Sequence, residues 1–425
     1  MILLRILLIS LIFSVFAIPQ SVRPRFNKKN FKSSFATAAR QKIEKDRYFS
    51  ELDQLFNGEY KDLNEKRFIR SFKELKLKFI KEPFVESFIK YVFTNQKLYS
   101  KNFLYEVLEL AYTLFPSKFN KEVKEIFFNT DSQNLFAVSA QYLMKNNIKI
   151  DFSGEMEKRF EKKNDLLLGL EYQLKSRELK TPPLIDLLTH NFIKNKTIIF
   201  SFHRKERKYP GITVIRTPKG DFVKSKDGEF AGVKQLACSA TNLPGYFKRG
   251  NTPQGIYSVQ GYYITKTESI GSSPIVISRM PYEVSVSSFF HKRKTGKWTL
   301  EKYKSILPES WKNYFPFSES YRGGKTGRRL IIMHGSADDM SYYKDLSYYP
   351  LTPTLGCLTT MEKWDSETGV LLESDQINLM NNFYGSGKLN GFLVVVELDD
   401  QKSPVTMSEL KDLLLKAEKI LKIKY

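Results

Sequence analysis

The hydrophobic pattern of this chain changes its period once, in a step that begins at Thr181-Pro182-Pro183 and is complete after His190. Upstream, apolar residues recur at intervals of three and four, which is the period of an amphipathic helix. Downstream, short segments rich in β-branched and aromatic residues lie between glycines and prolines, which is typical of strands. The pattern therefore predicts an α+β protein with a helical domain over 37–191, a mostly β domain over 192–400 and a C-terminal helix within 401–425.

The same two periods predict the individual elements. Six apolar runs predict helices over 68–80, 84–93, 103–115, 119–128, 135–144 and 166–174. Strands are predicted over 197–202, 212–216, 236–240, 255–260, 282–287, 329–333 and 392–398. A last helix is predicted over 407–421, with Thr406 or Ser408 as its N-cap. The helical segments show no fixed repeat that would indicate a known helical array.

The first residues have the layout of a secretory signal peptide. Arg5 precedes an apolar run over 6–16, and the small residue Ala17 offers a cleavage site. We therefore expect 1–17 to be removed and the mature protein to be exported to the periplasm or cell envelope, with no transmembrane helix. The alternative is an uncleaved anchor, although the apolar run is short for a membrane span. Residues 18–36 are basic with little apolar content, so we expect a mobile arm there.

The charge of the chain favours anionic partners. It has 68 basic and 46 acidic residues, a formal charge of +22. For an exported protein the candidates are acidic cell-wall polymers, peptidoglycan carboxylates and anionic lipid headgroups, and nucleic acid is not expected. The alternative is general solubility, because much of the excess is spread singly along helices. No histidine or cysteine cluster has the spacing of a zinc site, so we expect no metal and no cofactor.

One histidine and one cysteine stand at opposite ends of a single loop. His334 follows the apolar run 330–333 and precedes Gly335, and Cys357 follows Gly356. A thiol is a weak nucleophile until an imidazole within hydrogen-bond reach takes its proton. The backbone N–H groups of Gly356 and Cys357 can also face the oxyanion of a tetrahedral intermediate. This pair is therefore the candidate for nucleophilic catalysis.

The remaining histidines and the second cysteine are weaker candidates. His190 and His203 are interpreted as surface residues and His291 as part of a charged turn. Cys238, in an apolar and β-prone segment, has the character of a buried small hydrophobe. A disulfide between Cys238 and Cys357 stays open in an exported protein, and it would exclude a nucleophilic Cys357 from the active form.

The sequence His334-Gly335, followed by a loop and then Thr354-Leu355-Gly356-Cys357, resembles the signature of the L,D-transpeptidases, cysteine enzymes that cross-link or trim bacterial peptidoglycan. An upstream element, Gly250-Asn251-Thr252-Pro253-Gln254-Gly255-Ile256-Tyr257, is similar to the start of a strand in that family. The likeness spans roughly 198–398 and leaves out the helical region. It implies a sandwich-like catalytic domain that acts on peptidoglycan stem peptides. It also implies Cys357 as nucleophile, His334 as base and the Gly335 carbonyl as the group that orients the imidazole.

The loop between the histidine and the cysteine supplies candidate substrate-binding residues. Tyr342, Tyr343, Tyr348 and Tyr349 lie in it and can form an aromatic wall or lid, with Thr354 at its end. The alternative is that these tyrosines are surface residues without a role. The helical domain, in turn, is a candidate for binding a protein partner or positioning the substrate.

Other functions stay open or fail on a particular residue. Leu355 and Thr359 depart from the family, which often carries His or Arg at the first position and Asn or Arg at the second, and the loop is long. These departures motivate the alternative of a catalytically degenerate wall-binding or scaffold protein. An L,D-carboxypeptidase is the outcome if water resolves the thioester. A sortase needs an arginine downstream of Cys357, and none follows; the basic turn 323–326 lacks the first glycine of a phosphate loop, since Glu319 stands there.

Overall fold

The computed structural model describes residues 25–56, 60, 63–175, 180–292 and 296–424. The expected signal peptide over 1–17 lies outside the described residues. Within them, a helical region precedes a mixed sheet and a C-terminal helix, so the α+β class is confirmed. None of the described helices is long and apolar enough to cross a membrane.

The described part of the helical region contains nine α-helices. They are α1 (Ala38–Phe56), α2 (Glu65–Leu77), α3 (Pro83–Thr94), α4 (Lys101–Leu114), α5 (Asn120–Asn129), α6 (Gln133–Lys145), α7 (Phe152–Arg159), α8 (Asp165–Lys175) and α9 (Leu184–Thr189). Side chains of Asn64, Ser100, Ser132 and Asp151 cap the first turns of α2, α4, α6 and α7. The helices α1, α7 and α9 were not predicted, because they bury only a few apolar side chains each.

Ten strands follow in the described residues. They are β1 (Thr197–His203), β2 (Gly211–Arg216), β3 (Val233–Gln235), β4 (Gly255–Ile264), β5 (Pro274–Arg279), β6 (Met333–His334), β7 (Leu358–Thr359), β8 (Glu362–Trp364), β9 (Leu371–Ser374) and β10 (Gly391–Glu397). Eight of them form one sheet in the order β3-β2-β1-β10-β4-β5-β6-β7, and β8 and β9 form a separate hairpin. In the large sheet, β1 pairs with β10 and β6 with β7 in parallel, and the other pairs are antiparallel.

The two edges of this sheet meet. Leu236, directly after β3, and Thr359 of β7 exchange two backbone hydrogen bonds of 2.8 and 2.9 Å, and the Ala240 N–H donates to the Thr354 carbonyl at 2.8 Å. The sheet therefore closes on itself at this point, which satisfies backbone groups that an open edge would expose. The segment predicted as a strand over 236–240 makes this contact through isolated bridges instead.

Five further helices surround the sheet: α10 (Val286–Phe290), α11 (Leu300–Lys304), α12 (Glu319–Lys325), α13 (Asp375–Gly385) and α14 (Met407–Lys424). Alternate residues of β10 enter two cores, one beneath α14 and one beneath α13. Both faces are therefore buried, and the strand is apolar from Phe392 to Val396. Thr406 caps α14 as expected, since its Oγ1 accepts from the Glu409 N–H at 3.4 Å and its own N–H donates to the Glu409 carboxylate.

A loop of the β region fixes the helical region against the sheet. Leu243, Tyr246 and Phe247 pack into the core of the helical region. Beside them, the fully buried Glu109 carboxylate of α4 accepts from Arg249 Nε at 2.7 Å and forms an ion pair with Lys76 of α2 at 3.0 Å. The two regions are thus joined by an apolar contact and a buried ionic cluster.

The expected mobile arm over 18–36 is corrected for its described part. Phe26 and Phe31 are each 8 % exposed and belong to the core beneath α13. The Leu371 N–H donates to the Phe31 carbonyl at 3.1 Å, and the Ser33 N–H donates to the Gly369 carbonyl at 2.8 Å. Two aromatic residues thus attach a largely exposed basic stretch to the core, since a core contact depends on position rather than on mean composition.

The predicted strand over 282–287 is also wrong. Its second half begins α10, and Ser285 caps that helix by accepting from the Ser288 N–H at 3.2 Å. Only Pro281 and Val284 make an isolated bridge in this stretch. Ser285, which the prediction placed inside a strand, instead caps the start of a helix.

Candidate active site

His334 ends strand β6, and Cys357 directly precedes β7, the adjacent parallel strand. Met333 pairs with Leu358, and His334 pairs with Thr359, across β6 and β7. Met333 and Leu358 both point into the core beneath α13. Because successive side chains of an extended segment alternate between its faces, His334 and Cys357 point away from that core, on the same side. Extending the register places Cys357 opposite Ile332, two residues from His334.

The carbonyl of Gly335 orients the His334 ring. His334 Nδ1 donates to the Gly335 carbonyl, so Nε2 is the nitrogen that carries the lone pair. This is the contact that the family resemblance implied. The side chain is 6 % exposed, and burial lowers the pKa of His334 to about 4, with the Gly335 hydrogen bond opposing that effect. The imidazole is therefore neutral at physiological pH and able to accept a proton.

Cys357 lies at the end of the turn that leads into β7, with its side chain half-buried. Its Sγ donates to the Leu330 carbonyl at 3.2 Å, which directs the thiol proton to that carbonyl rather than to His334. Burial raises the pKa of Cys357, while a hydrogen bond from the Ile332 backbone and the charge of Arg328 lower it. Both groups are neutral at rest, so a nucleophilic attack by this thiol would require transfer of its proton.

The turn before Cys357 brings together the two segments that resemble the L,D-transpeptidases. Gly356 has a φ of +123°, and a Cβ there would lie 1.9 Å from Arg328 Nη2. Thr354 Oγ1 accepts from the Gly356 N–H and donates to the Cys357 carbonyl, both at 3.0 Å, and Thr252 Oγ1 donates to the Gly356 carbonyl at 2.9 Å. Thr354 thus builds the turn. Since the Gly356 N–H is already engaged, the Cys357 N–H is the candidate oxyanion donor that remains.

A buried arginine, which the sequence did not single out, packs against this turn. Arg328 is 3 % exposed, and its two terminal nitrogens donate to the carbonyls of Gly245, Phe247 and Gly250 at 2.6, 2.9 and 2.6 Å. The guanidinium therefore holds the loop before β4 beneath Gly356. It also brings a positive charge close enough to Cys357 to lower the pKa of the thiol.

A buried carboxyl group lies against the backbone of Gly335. A Cβ on Gly335 would be 2.1 Å from Glu362 Cδ. Glu362 is 2 % exposed and accepts from Ser273 Oγ at 3.1 Å and Ser374 Oγ at 2.8 Å. Burial raises the pKa of Glu362 to about 8, against the effect of both serine hydroxyls. The carboxyl is therefore mostly protonated at neutral pH and packs as a neutral group beside the residue that orients His334.

The start of α13 and the β8–β9 hairpin hold the backbone around the histidine. Gln376 Nε2 donates to the Met333 carbonyl at 3.2 Å, and Gln376 Oε1 accepts from Thr360 Oγ1 at 2.8 Å. The Thr360 N–H donates to the His334 carbonyl at 3.0 Å, and Trp364 Nε1 donates to the Ser336 carbonyl at 2.9 Å. These residues give the histidine a fixed frame, as precise catalytic geometry requires. Isolated polar residues in a short hairpin gave no sequence signal for this role.

The tyrosines of the loop divide into two pairs. Tyr343 and Tyr348 are 2 % and 3 % exposed and form a small core with Cys238 and its neighbours, so packing is their main role. Tyr342 is half-buried, and with Tyr343 it lines a 410 Å³ cavity between this loop and helices α1 and α2. Tyr349 is 46 % exposed. Because the loop packs on the helical region, only Tyr342 and Tyr349 keep the accessible surface that a substrate contact needs.

The other three histidines make their contacts away from Cys357. His190 and His291 each place Nε2 2.9 Å from a backbone carbonyl oxygen. His203 is 1 % exposed and its Nε2 lies 2.7 Å from Ser201 Oγ, so the expectation of a surface position is wrong for it. His334 is thus the histidine that shares a strand face with Cys357.

Both cysteines are free thiols, so the disulfide that the sequence left open is not formed in this structure. Cys238 is 2 % exposed, and burial raises its pKa to about 12. A thiol in that state is an apolar core residue. Cys357, with its half-buried side chain, is the more reactive candidate.

We expect the alkylation rate of Cys357 by iodoacetamide to rise through neutral pH without an inflection near pH 6.5. The thiol ionises with a raised pKa, above its ordinary value of 9.0, and His334 is already neutral above pH 5 because its pKa is about 4. His334→Ala should lower the rate at pH 7 by about tenfold through loss of base assistance. The two forms should converge at a pH above the raised pKa of Cys357, where the thiolate forms unaided. Equal rates at pH 7 would contradict the pairing.

Comparisons of the chain with protein-family models, with curated proteins and with solved structures found no match. The described residues also contain no group of three or more histidine, cysteine, aspartate or glutamate side chains arranged to hold a metal ion. Function is therefore inferred from the geometry and chemistry of the site.

Proposed function

We propose that the protein is an exported cysteine L,D-transpeptidase, active in the periplasm or cell envelope, with peptidoglycan stem peptides as substrates. The observation that supports this most is that His334 ends β6 and Cys357 directly precedes the paired strand β7, with His334 Nδ1 bonded to the Gly335 carbonyl. Added to the Gly356-Cys357 turn and its contact with Thr252, this arrangement suits acyl transfer through a thioester.

In the first half of the proposed reaction, Cys357 Sγ attacks the carbonyl carbon of an L,D peptide bond while His334 Nε2 takes the thiol proton. The S–C bond forms, the C–N bond breaks, and His334 returns the proton to the departing amine. The Cys357 N–H faces the oxyanion that forms between these steps. In the second half, the amine of another stem attacks the thioester, gives its proton to His334 and releases the thiol.

Arg328 supports the same proposal. The family that the sequence resembles often has Asn or Arg at the position of Thr359, but here Thr359 is fully buried and joins the edges of the sheet. Arg328, from the segment before β6, supplies a positive charge beside the nucleophile instead. A departure in sequence is thus offset by a cation from another part of the chain.

Mass spectrometry of the purified protein after incubation with peptidoglycan stem peptides tests the proposal. We expect an acyl adduct on Cys357 in the wild type and no adduct in Cys357→Ala. Cys238→Ala is the matched control, since Cys238 is buried away from the proposed reaction, and it should keep the adduct. Turnover should fall at least about 1,000-fold in Cys357→Ala, the size of effect seen when a nucleophile is removed. Adduct-free wild-type protein with unchanged activity in Cys357→Ala would exclude a cysteine mechanism.

A catalytically degenerate wall-binding or scaffold protein is the second candidate. The raised pKa of Cys357 and the pKa of His334 near 4 favour it, because neither group is charged at rest. Stem-peptide binding without an adduct would support this function. If an adduct forms, product analysis separates transpeptidation, which joins two stems, from carboxypeptidation, which only shortens one.

A further inference from the structure

A large groove separates the helical region from the sheet. It has a volume of 620 Å³, within the range of ligand sites, and domain boundaries are where such sites commonly lie. Helices α4, α6 and α8 form one wall, with Tyr112, Lys145 and Tyr172. The connection after β1 and the loop before β4 form the other, and Asn251 and Gln254 belong to the loop that holds Gly356 through Thr252.

Three lysines give this groove much of its positive charge. Lys145, Lys205 and Lys208 line it, and none of them makes an ion pair with a described residue. Lys145 Nζ lies 4.2 Å from the centre of the Tyr112 ring. Partial burial, followed by the charge of Lys208, lowers the pKa of Lys145 to about 8, and the charge of Glu206 opposes this shift. Two like charges that share a groove favour an anion between them.

The carboxyl groups of the groove do not cancel these charges. Glu397 accepts from Arg207 at 2.9 Å, and Arg207 Nη1 still has no acceptor among the described residues. Burial, followed by the charge of Glu397, raises the pKa of Glu319 to about 7, so about half of this carboxyl is neutral at pH 7. The Glu206 carboxylate accepts from the Asn242 side chain at 3.3 Å. The groove is therefore positive overall, with tyrosine rings and amide groups in its walls.

We propose that this groove binds a second, acidic segment of the peptidoglycan stem through its carboxylate, away from the bond cleaved at Cys357. The carboxylate pairs with the ammonium groups of Lys145, Lys205 and Lys208, and the amide groups of the peptide contact Asn251, Gln254 and the tyrosine rings. This choice of ligand rests on the proposed function, whereas the positive charge of the groove does not. It also gives the helical region a task in substrate binding, because Lys145 and two of the tyrosines belong to it.

Calorimetric titration of the full chain, in a Cys357→Ala background that prevents turnover, tests the site. The probe is a synthetic stem peptide with free carboxylates, compared with the same peptide carrying amidated carboxyl groups. The test variant is Lys145→Gln, Lys205→Gln and Lys208→Gln combined. The matched control is Lys42→Gln, Lys66→Gln and Lys90→Gln combined, which removes the same charge from exposed positions of α1, α2 and α3.

The groove variant should bind the acidic peptide about tenfold more weakly than the control variant, as expected for three partly exposed ion pairs. Amidation of the peptide should weaken binding to the parent protein by a similar factor and abolish the difference between the variants. Equal binding by the groove and control variants, equal binding of both peptides, or binding of inorganic phosphate in place of the peptide would each overturn the proposal. Adduct formation at Cys357 is measured separately in protein with the native cysteine, so failure of the groove and failure of the catalytic proposal remain distinguishable.

Discussion

Glu362→Gln is expected to raise the free energy of unfolding by about 3 kcal/mol more at pH 7.5 than at pH 5, at about 1.4 kcal/mol per pKa unit. The pKa of Glu362 is raised from its ordinary 4.5 to about 8 by burial. Between those values the unfolded chain has lost the proton that the folded chain still holds. Wild-type stability from this group is therefore fully present below pH 4.5 and falls as the pH rises toward 8, whereas glutamine has no such penalty.

The exchange preserves the local hydrogen bonds. Ser273 and Ser374 both contact the Glu362 carboxyl, and a serine hydroxyl can donate or accept, so both can adapt to an amide. Glu373→Gln, at an exposed position of the neighbouring strand β9, is the control and should show little pH-dependent change. Urea denaturation at the two pH values measures both variants. A Glu362→Gln protein with the same stability difference from wild type at pH 5 and pH 7.5 would mean that the carboxyl is already ionised in the folded state.

The hydrophobic pattern of the sequence predicted part of this fold. The α+β class, the change from helices to strands near residue 190 and most central helices followed from hydrophobic period, because α2 to α6 and α8 each bury a strong apolar stripe. Strands β6 and β7 are two residues long, and their pairing depends on contacts between distant parts of the chain. No local period encodes a pair of that length or the closure between Leu236 and Thr359.

Only the residues of the two sequence motifs could be predicted as parts of the site. His334, Gly335, Gly356 and Cys357 stood out by their residue types and order, and the structure places all four in or next to one pair of short strands. Arg328 gave no signal, because a buried arginine and an exposed one look alike in a basic turn. All four tyrosines of the loop were predicted as substrate-binding candidates, but Tyr343 and Tyr348 are buried. Their burial depends on how the loop packs on the helical region.

Arg328→Met is expected to lower the free energy of unfolding by about 3–5 kcal/mol, the cost of leaving several buried carbonyl groups without donors. Its guanidinium donates three hydrogen bonds, to the carbonyls of Gly245, Phe247 and Gly250. The loss of its positive charge should also raise the pH midpoint of Cys357 alkylation, because Arg328 lowers the pKa of that thiol. Urea denaturation measures the first effect, and the rate of iodoacetamide labelling against pH, in protein shown to be folded by circular dichroism, measures the second.

Arg328→Lys separates the two effects, because lysine keeps the charge but loses the planar fork that holds three carbonyls at once. The lysine variant should lose part of the stability, while its alkylation midpoint stays close to that of the wild type. If Arg328 acted only as a hydrogen-bond donor to the loop, the midpoint would follow stability and shift in both variants. A midpoint that shifts with methionine and not with lysine therefore assigns the effect to charge beside Cys357. An unchanged midpoint in a folded Arg328→Met protein would show that the arginine stabilises the fold and has no effect on the ionisation of Cys357.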